Sequence, residues 1–223
     1  MQVTTARLLL RPLAKALAWH ALLWSLLLAF LIVWWLAQVT TDVALSLRIG
    51  ALCLAAGMAF VLDDASGEST SMTPVSVLIR RLIGISLTLP VAAAAWVLLG
   101  RVANGSPAAD TEVSAWPFII EFLAYSSAAL GGAAVGIRHL GDRVGGTTGA
   151  GAAVLVASAA ALVPGWWRLW DHTPGSSGYA DSTKWWWAIV LLGSLVLVYY
   201  SRVGAPSFAL SARGRKTQNR RKV

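Results

Sequence analysis

The amino-acid sequence predicts an all-α integral membrane protein, with an N-terminal amphipathic interfacial helix followed by six transmembrane helices. Composition gives the first indication. Of the 223 residues, 57% are hydrophobic and only 13% are charged, whereas soluble domains carry about 25% charged residues. The second indication is that the apolar residues fall in six runs. Each run is close to the ~20 residues that a helix needs to cross about 30 Å of hydrocarbon.

Residues 1–16 form the predicted amphipathic helix, which we expect to lie in the membrane interface. Arg7, Arg11 and Lys15 recur every four residues and therefore share one helical face, while leucines occupy much of the remaining surface. The apolar run that follows is longer than the hydrophobic core of a signal peptide. It is therefore interpreted as the first membrane span.

The six spans define one predicted transmembrane domain over residues 17–203, and residues 204–223 form a basic tail. The spans are placed near residues 18–37, 43–62, 78–99, 116–137, 149–167 and 185–200. Six spans put both termini on the same side of the membrane. The fifth run gives the weakest signal, because it opens in a glycine-rich stretch and is rich in alanine.

The distribution of Lys and Arg predicts that both termini are cytosolic. Of the 18 Lys and Arg residues, only Arg48, Arg101, Arg168 and Lys184 fall on the opposite side or at the span ends that face it. Loops on the cytoplasmic side are enriched in these residues. The same distribution explains the net charge of +8 without a nucleic-acid partner.

The sequence contains no pattern that predicts a nucleotide site, a metal site or a hydrolase. Residues 145–151 are rich in glycine but lack the lysine of a phosphate-binding loop. The spacing of Gly145 and Gly149, like that of Gly132 and Gly136, favours close helix packing instead. The three histidines are scattered along the chain, which disfavours a metal site. We therefore expect no cofactor in this chain, and a membrane enzyme is the least favoured class.

Two ionisable residues, Arg48 and Glu121, fall inside predicted spans. Each lies five residues into its span, roughly 8 Å from the boundary at 1.5 Å per residue. A charge inside the bilayer costs on the order of 2.5–3.5 kcal/mol on insertion scales, so such residues pair or line water. We therefore hypothesise an intramembrane charge pair between spans two and four, or a part of a translocation path. The alternative is that Arg48 extends outwards while Glu121 borders an outer vestibule.

A polar segment over residues 63–81 separates spans two and three on the predicted cytosolic side. It combines carboxylates, a methionine, a helix-start pair and two arginines: Asp63, Asp64, Glu68, Met72, Thr73, Pro74, Arg80 and Arg81. Carboxylates can bind Arg or Lys on a partner, and methionine offers a soft apolar contact. A Thr-Pro pair is typical of a helix start. Alternatively, the segment is only a solvated loop.

This layout resembles the permease subunits of ATP-binding-cassette exporters of the type-two family, in particular small permeases of high-GC Gram-positive bacteria. The resemblance covers the chain as topology and rests on Leu62-Asp63-Asp64, Thr73-Pro74 and Arg80-Arg81. It implies a bacterial plasma-membrane location, and it implies that residues 63–81 couple the chain to a separate ATPase subunit that carries ATP and Mg²⁺. It further implies export and a homodimer or a second permease subunit. The apolar spans, in which Arg48 and Glu121 are the charged features, favour a hydrophobic or amphipathic small molecule, lipid or peptide as cargo. The basic N-terminal segment and tail favour contacts with membrane lipids.

A non-transporting membrane scaffold, or assembly subunit, is the second hypothesis. In that case, residues 63–81 bind a cytosolic partner and no ATP-driven motion follows. On both hypotheses the chain is not itself an enzyme, since any ATP hydrolysis takes place on a separate subunit.

Overall fold

A computed structural model describes residues 19–40, 42–63, 77–105, 118–140, 145–162 and 179–202. They form six helices, each long and apolar enough to cross a membrane, as the sequence predicted. The helices are α1 Trp19–Val39, α2 Val43–Ala59, α3 Val77–Asn104, α4 Ile119–Leu140, α5 Gly145–Leu162 and α6 Tyr179–Arg202. A short 3-10 helix, Phe60–Leu62, extends α2. The predicted amphipathic helix and basic tail lie outside the described residues.

The helix boundaries differ most from the sequence prediction at α5 and α6. α5 is described over Gly145–Leu162, so it starts several residues earlier than expected. Residues 163–167 of the predicted span lie outside the described residues. Glycine has a low helix propensity, and tertiary contacts at the start of α5 override it. α6 begins at Tyr179, within a polar stretch that a search for apolar runs leaves out. α3 continues as one helix through Pro90.

Successive helices alternate in direction, so the bundle has two ends. Ser25 near the start of α1 lies against Gly57 near the end of α2, and Thr148 near the start of α5 lies against Gly136 near the end of α4. We call the end at which α2, α4 and α6 begin the Arg48 end. The opposite end, where these three helices finish, is called the Asp63 end.

The helices α2 and α4 form the centre of the bundle. α4 packs along α2, α5 and α6, while α2 also packs against α1, α3 and α5. Most side chains of the two central helices are buried. The outer helices instead expose large apolar side chains, such as Trp24 on α1, Leu98 on α3 and Leu195 on α6. In a membrane, such faces meet lipid or another apolar surface.

Glycines let α4 approach both α5 and α6 closely. A Cβ added at Gly132 would lie 2.6 Å from the Cβ of Ala152 on α5, and one added at Gly149 would clash with the backbone of α4. On the other side of α4, a Cβ at Gly193 of α6 would lie 2.6 Å from the carbonyl oxygen of Ser127. The packing role that the sequence predicted for the glycine pairs of α4 and α5 is confirmed.

We expect Gly149→Val to destabilise the bundle by about 1–3 kcal/mol, because added side-chain atoms at a closely packed site force neighbours apart. Gly151→Val is the matched control, since a Cβ there would meet nothing within 4 Å. Thermal unfolding of both variants in detergent tests this. An equal loss of stability in the two would contradict the packing role of Gly149.

Candidate functional site

A buried ion pair joins the central helices near the Arg48 end. Arg48 Nε donates to Glu121 Oε2 at 2.9 Å, and Arg48 Nη2 donates to Glu121 Oε1 at 3.1 Å. The two side chains are only 6% and 3% exposed. The structure therefore brings together the two residues for which the sequence suggested a contact between spans two and four. The bidentate geometry is the strongest form of a guanidinium–carboxylate contact.

The starts of α2 and α4 position the two charged side chains. The carboxylate of Asp42 accepts the N–H of Leu45 at 3.0 Å and so caps α2, which places Arg48 in the second turn. Glu121 lies in the first turn of α4, where the helix dipole favours a negative charge. Because α4 begins at Ile119, Glu121 lies two residues into its helix, not the five residues that the sequence predicted.

Aromatic side chains surround this region of the bundle. The guanidinium carbon of Arg48 lies 5.5 Å from the centre of the Phe118 ring, which is within the range of a cation–π contact. Phe122, next to Glu121, stacks on Trp96 of α3 with ring centres 5.7 Å apart. These three aromatic side chains are buried. An ion pair that is shielded from water attracts more strongly than one at a surface.

The ion pair can hold α2 against α4. Alternatively, it can open when a polar molecule competes for one of the two charges. Ser126 lies five residues beyond Glu121 on α4 and is another polar side chain of the bundle centre. Its side chain is buried, and its hydroxyl has no hydrogen-bond partner in the part of the chain that the structure describes. A buried hydroxyl without a partner costs about 1–3 kcal/mol. The sequence did not single out Ser126, because a lone serine in a membrane helix carries no distinctive pattern.

At the Asp63 end, the carboxylate of Asp63 caps α5. Asp63 follows the 3-10 helix that extends α2, and its Oδ1 accepts the backbone N–H of Gly146 at 2.8 Å. This negative charge also complements the dipole at the start of α5. A Cβ on Gly146 would lie 2.5 Å from Asp63 Oδ2 and would clash with the ring of Phe60. The close approach therefore requires glycine at this position.

The start of α3 is attached to the end of α6. Arg81 Nη1 donates to Ser201 Oγ at 3.0 Å, and Arg80 precedes it in the first turn of α3. Of the residues to which the sequence assigned a coupling role, the structure describes Asp63, Arg80 and Arg81. The remaining ones lie outside the described residues: Asp64, Glu68, Met72, Thr73 and Pro74.

We expect Arg48→Leu and Glu121→Leu each to destabilise the bundle by about 3–5 kcal/mol, because each leaves one buried charge unpaired. The double variant should lose far less unfolding free energy than the two single variants lose in sum. Unfolding of all three variants in detergent gives the coupling energy. Arg101→Leu, at an exposed position of α3, is the control and should leave stability nearly unchanged. Additive single effects would show that the pair does not act as a unit.

Asp63→Ala should destabilise the bundle by about 0.5–2 kcal/mol, the usual loss when a helix cap is removed. Asp63→Asn keeps an acceptor oxygen and should lose less. Hydrogen exchange followed by mass spectrometry should show faster exchange at Gly146 and Thr147 in the alanine variant. Unchanged exchange at the start of α5 in the alanine variant would contradict the capping role.

Within the described helices, no three His, Cys, Asp or Glu side chains come together as a metal site. Comparison of the chain with models of known protein families, with characterised proteins and with solved structures gives no significant match.

Proposed function

We propose that this chain is the permease subunit of an ATP-binding-cassette exporter in a bacterial plasma membrane. Both termini are cytosolic, and the chain works as a homodimer or with a second permease subunit. A separate ATPase subunit drives it, and the cargo is a hydrophobic or amphipathic small molecule, lipid or peptide. The observation that carries the proposal is the attachment of residues 63–81 to the bundle at both ends of that segment.

The attachment at each end involves two helices. Asp63, at the end of α2, holds the start of α5 through Gly146. Arg81, near the start of α3, holds the end of α6 through Ser201. A displacement of the intervening segment therefore acts on four of the six helices. This is what coupling to an external ATPase requires, because the force arrives outside the membrane and must reach the helices inside it.

The proposed translocation path runs between α2 and α4. The Lys and Arg distribution supports an outer location for the Arg48 end. There, the Arg48–Glu121 pair closes the path in the state described, and outward opening separates the two helices. The charged pair and the neighbouring rings of Trp96 and Phe122 together offer polar and apolar contacts. An amphipathic molecule needs both.

A non-transporting scaffold is the second candidate, and the cap on α5 favours it. The carboxylate of Asp63 binds within the chain, so it serves the fold of the bundle. The Arg48–Glu121 pair also holds the central helices together. A rigid assembly subunit needs such internal contacts, and it binds its partner without ATP-driven motion.

Co-purification and ATPase assays distinguish the two candidates. The tagged full-length chain is purified from membranes of its native host in mild detergent, and the complex is analysed for an ATP-binding-cassette ATPase. After reconstitution into liposomes, a permease stimulates ATP hydrolysis by that subunit. A scaffold retains a partner but stimulates no hydrolysis.

In the reconstituted complex, we expect Asp64→Ala with Glu68→Ala to lower the apparent affinity for the ATPase subunit by roughly tenfold or more, because hydrogen bonds to a charged group contribute about 1.5–3 kcal/mol each. The readout is the ATPase concentration that gives half-maximal stimulation. Asp110→Ala, in a loop predicted on the opposite side, is the control. Normal stimulation in the double variant would remove the coupling role of these carboxylates.

A further inference from the structure

The carboxylate of Glu121 lies in a site that is built for a positive charge. Among the described side chains it is the one buried carboxylate, and Arg48 donates to its two oxygens at 2.9 and 3.1 Å. The same guanidinium lies over the ring of Phe118, with its carbon 5.5 Å from the ring centre. The face of an aromatic ring is negative, so it attracts a cation and disfavours an anion. The place that the guanidinium occupies is therefore suited to a cation.

The two charged partners differ in how far they can move. Arg48 lies in the second turn of α2, and its long side chain can extend towards the membrane interface while its aliphatic part stays in apolar surroundings. Glu121 has a shorter side chain in the first turn of α4, where the helix dipole favours its negative charge. When the pair opens, Arg48 can therefore leave the site, whereas Glu121 remains. The vacated site then needs another cation, because a buried charge without a partner is costly.

Aromatic side chains follow Glu121 within one turn of α4. Phe122 stacks on Trp96 of α3, and Tyr125 meets Trp186 of α6 edge-on with ring centres 5.5 Å apart. These four rings are buried. A molecule that carries both a cation and an apolar group would thus find a carboxylate and aromatic side chains in the same region of the bundle.

We propose that Glu121 binds the cationic group of an amphipathic cargo, and that Arg48 occupies this site when the cargo is absent. The inference rests on the proposed function and names the chemical class of the cargo. Displacement of Arg48 by the cargo releases α2 from α4, and the return of Arg48 to the carboxylate favours release of the cargo. An anionic cargo would instead have to take Arg48 and leave the shorter side chain of Glu121 buried without a partner, which is the less favourable exchange.

Equilibrium dialysis of the full-length chain in a non-ionic detergent tests the proposal with two probes that share one tail. The cation is octylguanidinium, the anion is octyl sulfate, and protein-free micelles give the background. The unmodified chain should bind octylguanidinium saturably and more tightly than octyl sulfate. Glu121→Gln should weaken this binding by about tenfold or more, because hydrogen bonds to a charged group are lost. Arg48→Ala should strengthen it by about tenfold or more, since the competing occupant is gone.

Control variants separate the site from general effects of charge and folding. Arg101 is exposed in the last turn of α3, at the same end of the bundle, so Arg101→Ala should leave octylguanidinium binding unchanged. If Arg48→Ala does not fold, Arg48→Lys should still strengthen binding, because lysine keeps the charge but lacks the bidentate fork. If Glu121→Gln does not fold, the Arg48→Leu/Glu121→Leu variant, which leaves neither charge unpaired, should show no saturable binding of octylguanidinium.

The opposite directions of the two single changes distinguish a cation site from an ion pair that only holds the helices. Weaker binding of octylguanidinium in both single variants would overturn the proposal, as would unchanged binding in Glu121→Gln or an equal gain in Arg101→Ala. Saturable binding of octyl sulfate that Arg48→Ala abolishes would also overturn it, since the cargo would then be an anion. These measurements use neither ATP nor the ATPase subunit, so their failure leaves the permease proposal standing. A failed co-purification, in turn, leaves the cation site standing.

Discussion

Two opposite charges inside an apolar bundle determine how the helices of this protein are aligned. The Arg48–Glu121 contact is short, bidentate and buried. Sliding α2 against α4 by one helical turn, about 5.4 Å, would separate the charges in a medium that hardly stabilises either alone. Apolar packing between membrane helices is less specific, because lipid chains compete for the same surfaces. The ion pair therefore fixes the register of the central helices, against which the other four pack.

The two ends of the bundle use charge in different ways. At the Arg48 end, the positive and negative groups neutralise each other and are enclosed by rings such as Phe118. At the Asp63 end, Arg81 contacts Ser201, Arg138 lies over the ring of Tyr200, and the carboxylate of Asp63 caps α5. The first cluster holds helices together from within. The contacts at the second end join the start of α3, the end of α4 and the start of α5 to their neighbouring helices.

Local features of the sequence were enough to predict the six helices and to suggest a contact between Arg48 and Glu121. Hydropathy identifies the spans, and the cost of a charge in hydrocarbon requires each of these residues to find a partner or water. The start of α5 was not predictable in this way. It depends on Asp63, which is 83 residues away in sequence, and the low helix propensity of the glycines there weakened the signal of the fifth run. The contacts of Arg81 with Ser201 and of Arg138 with Tyr200 likewise depend on how α3, α4 and α6 pack.

The distance along the chain between Arg48 and Glu121 has a consequence for biosynthesis. The two residues are 73 positions apart, so the ribosome completes α2 well before it adds the carboxylate that neutralises Arg48. During that interval, α2 carries a cation without its counter-ion. Arg48 lies only five residues from the start of its helix, close enough for its long side chain to reach the interface. The second span can therefore enter the membrane early and settle at its final depth once α4 arrives.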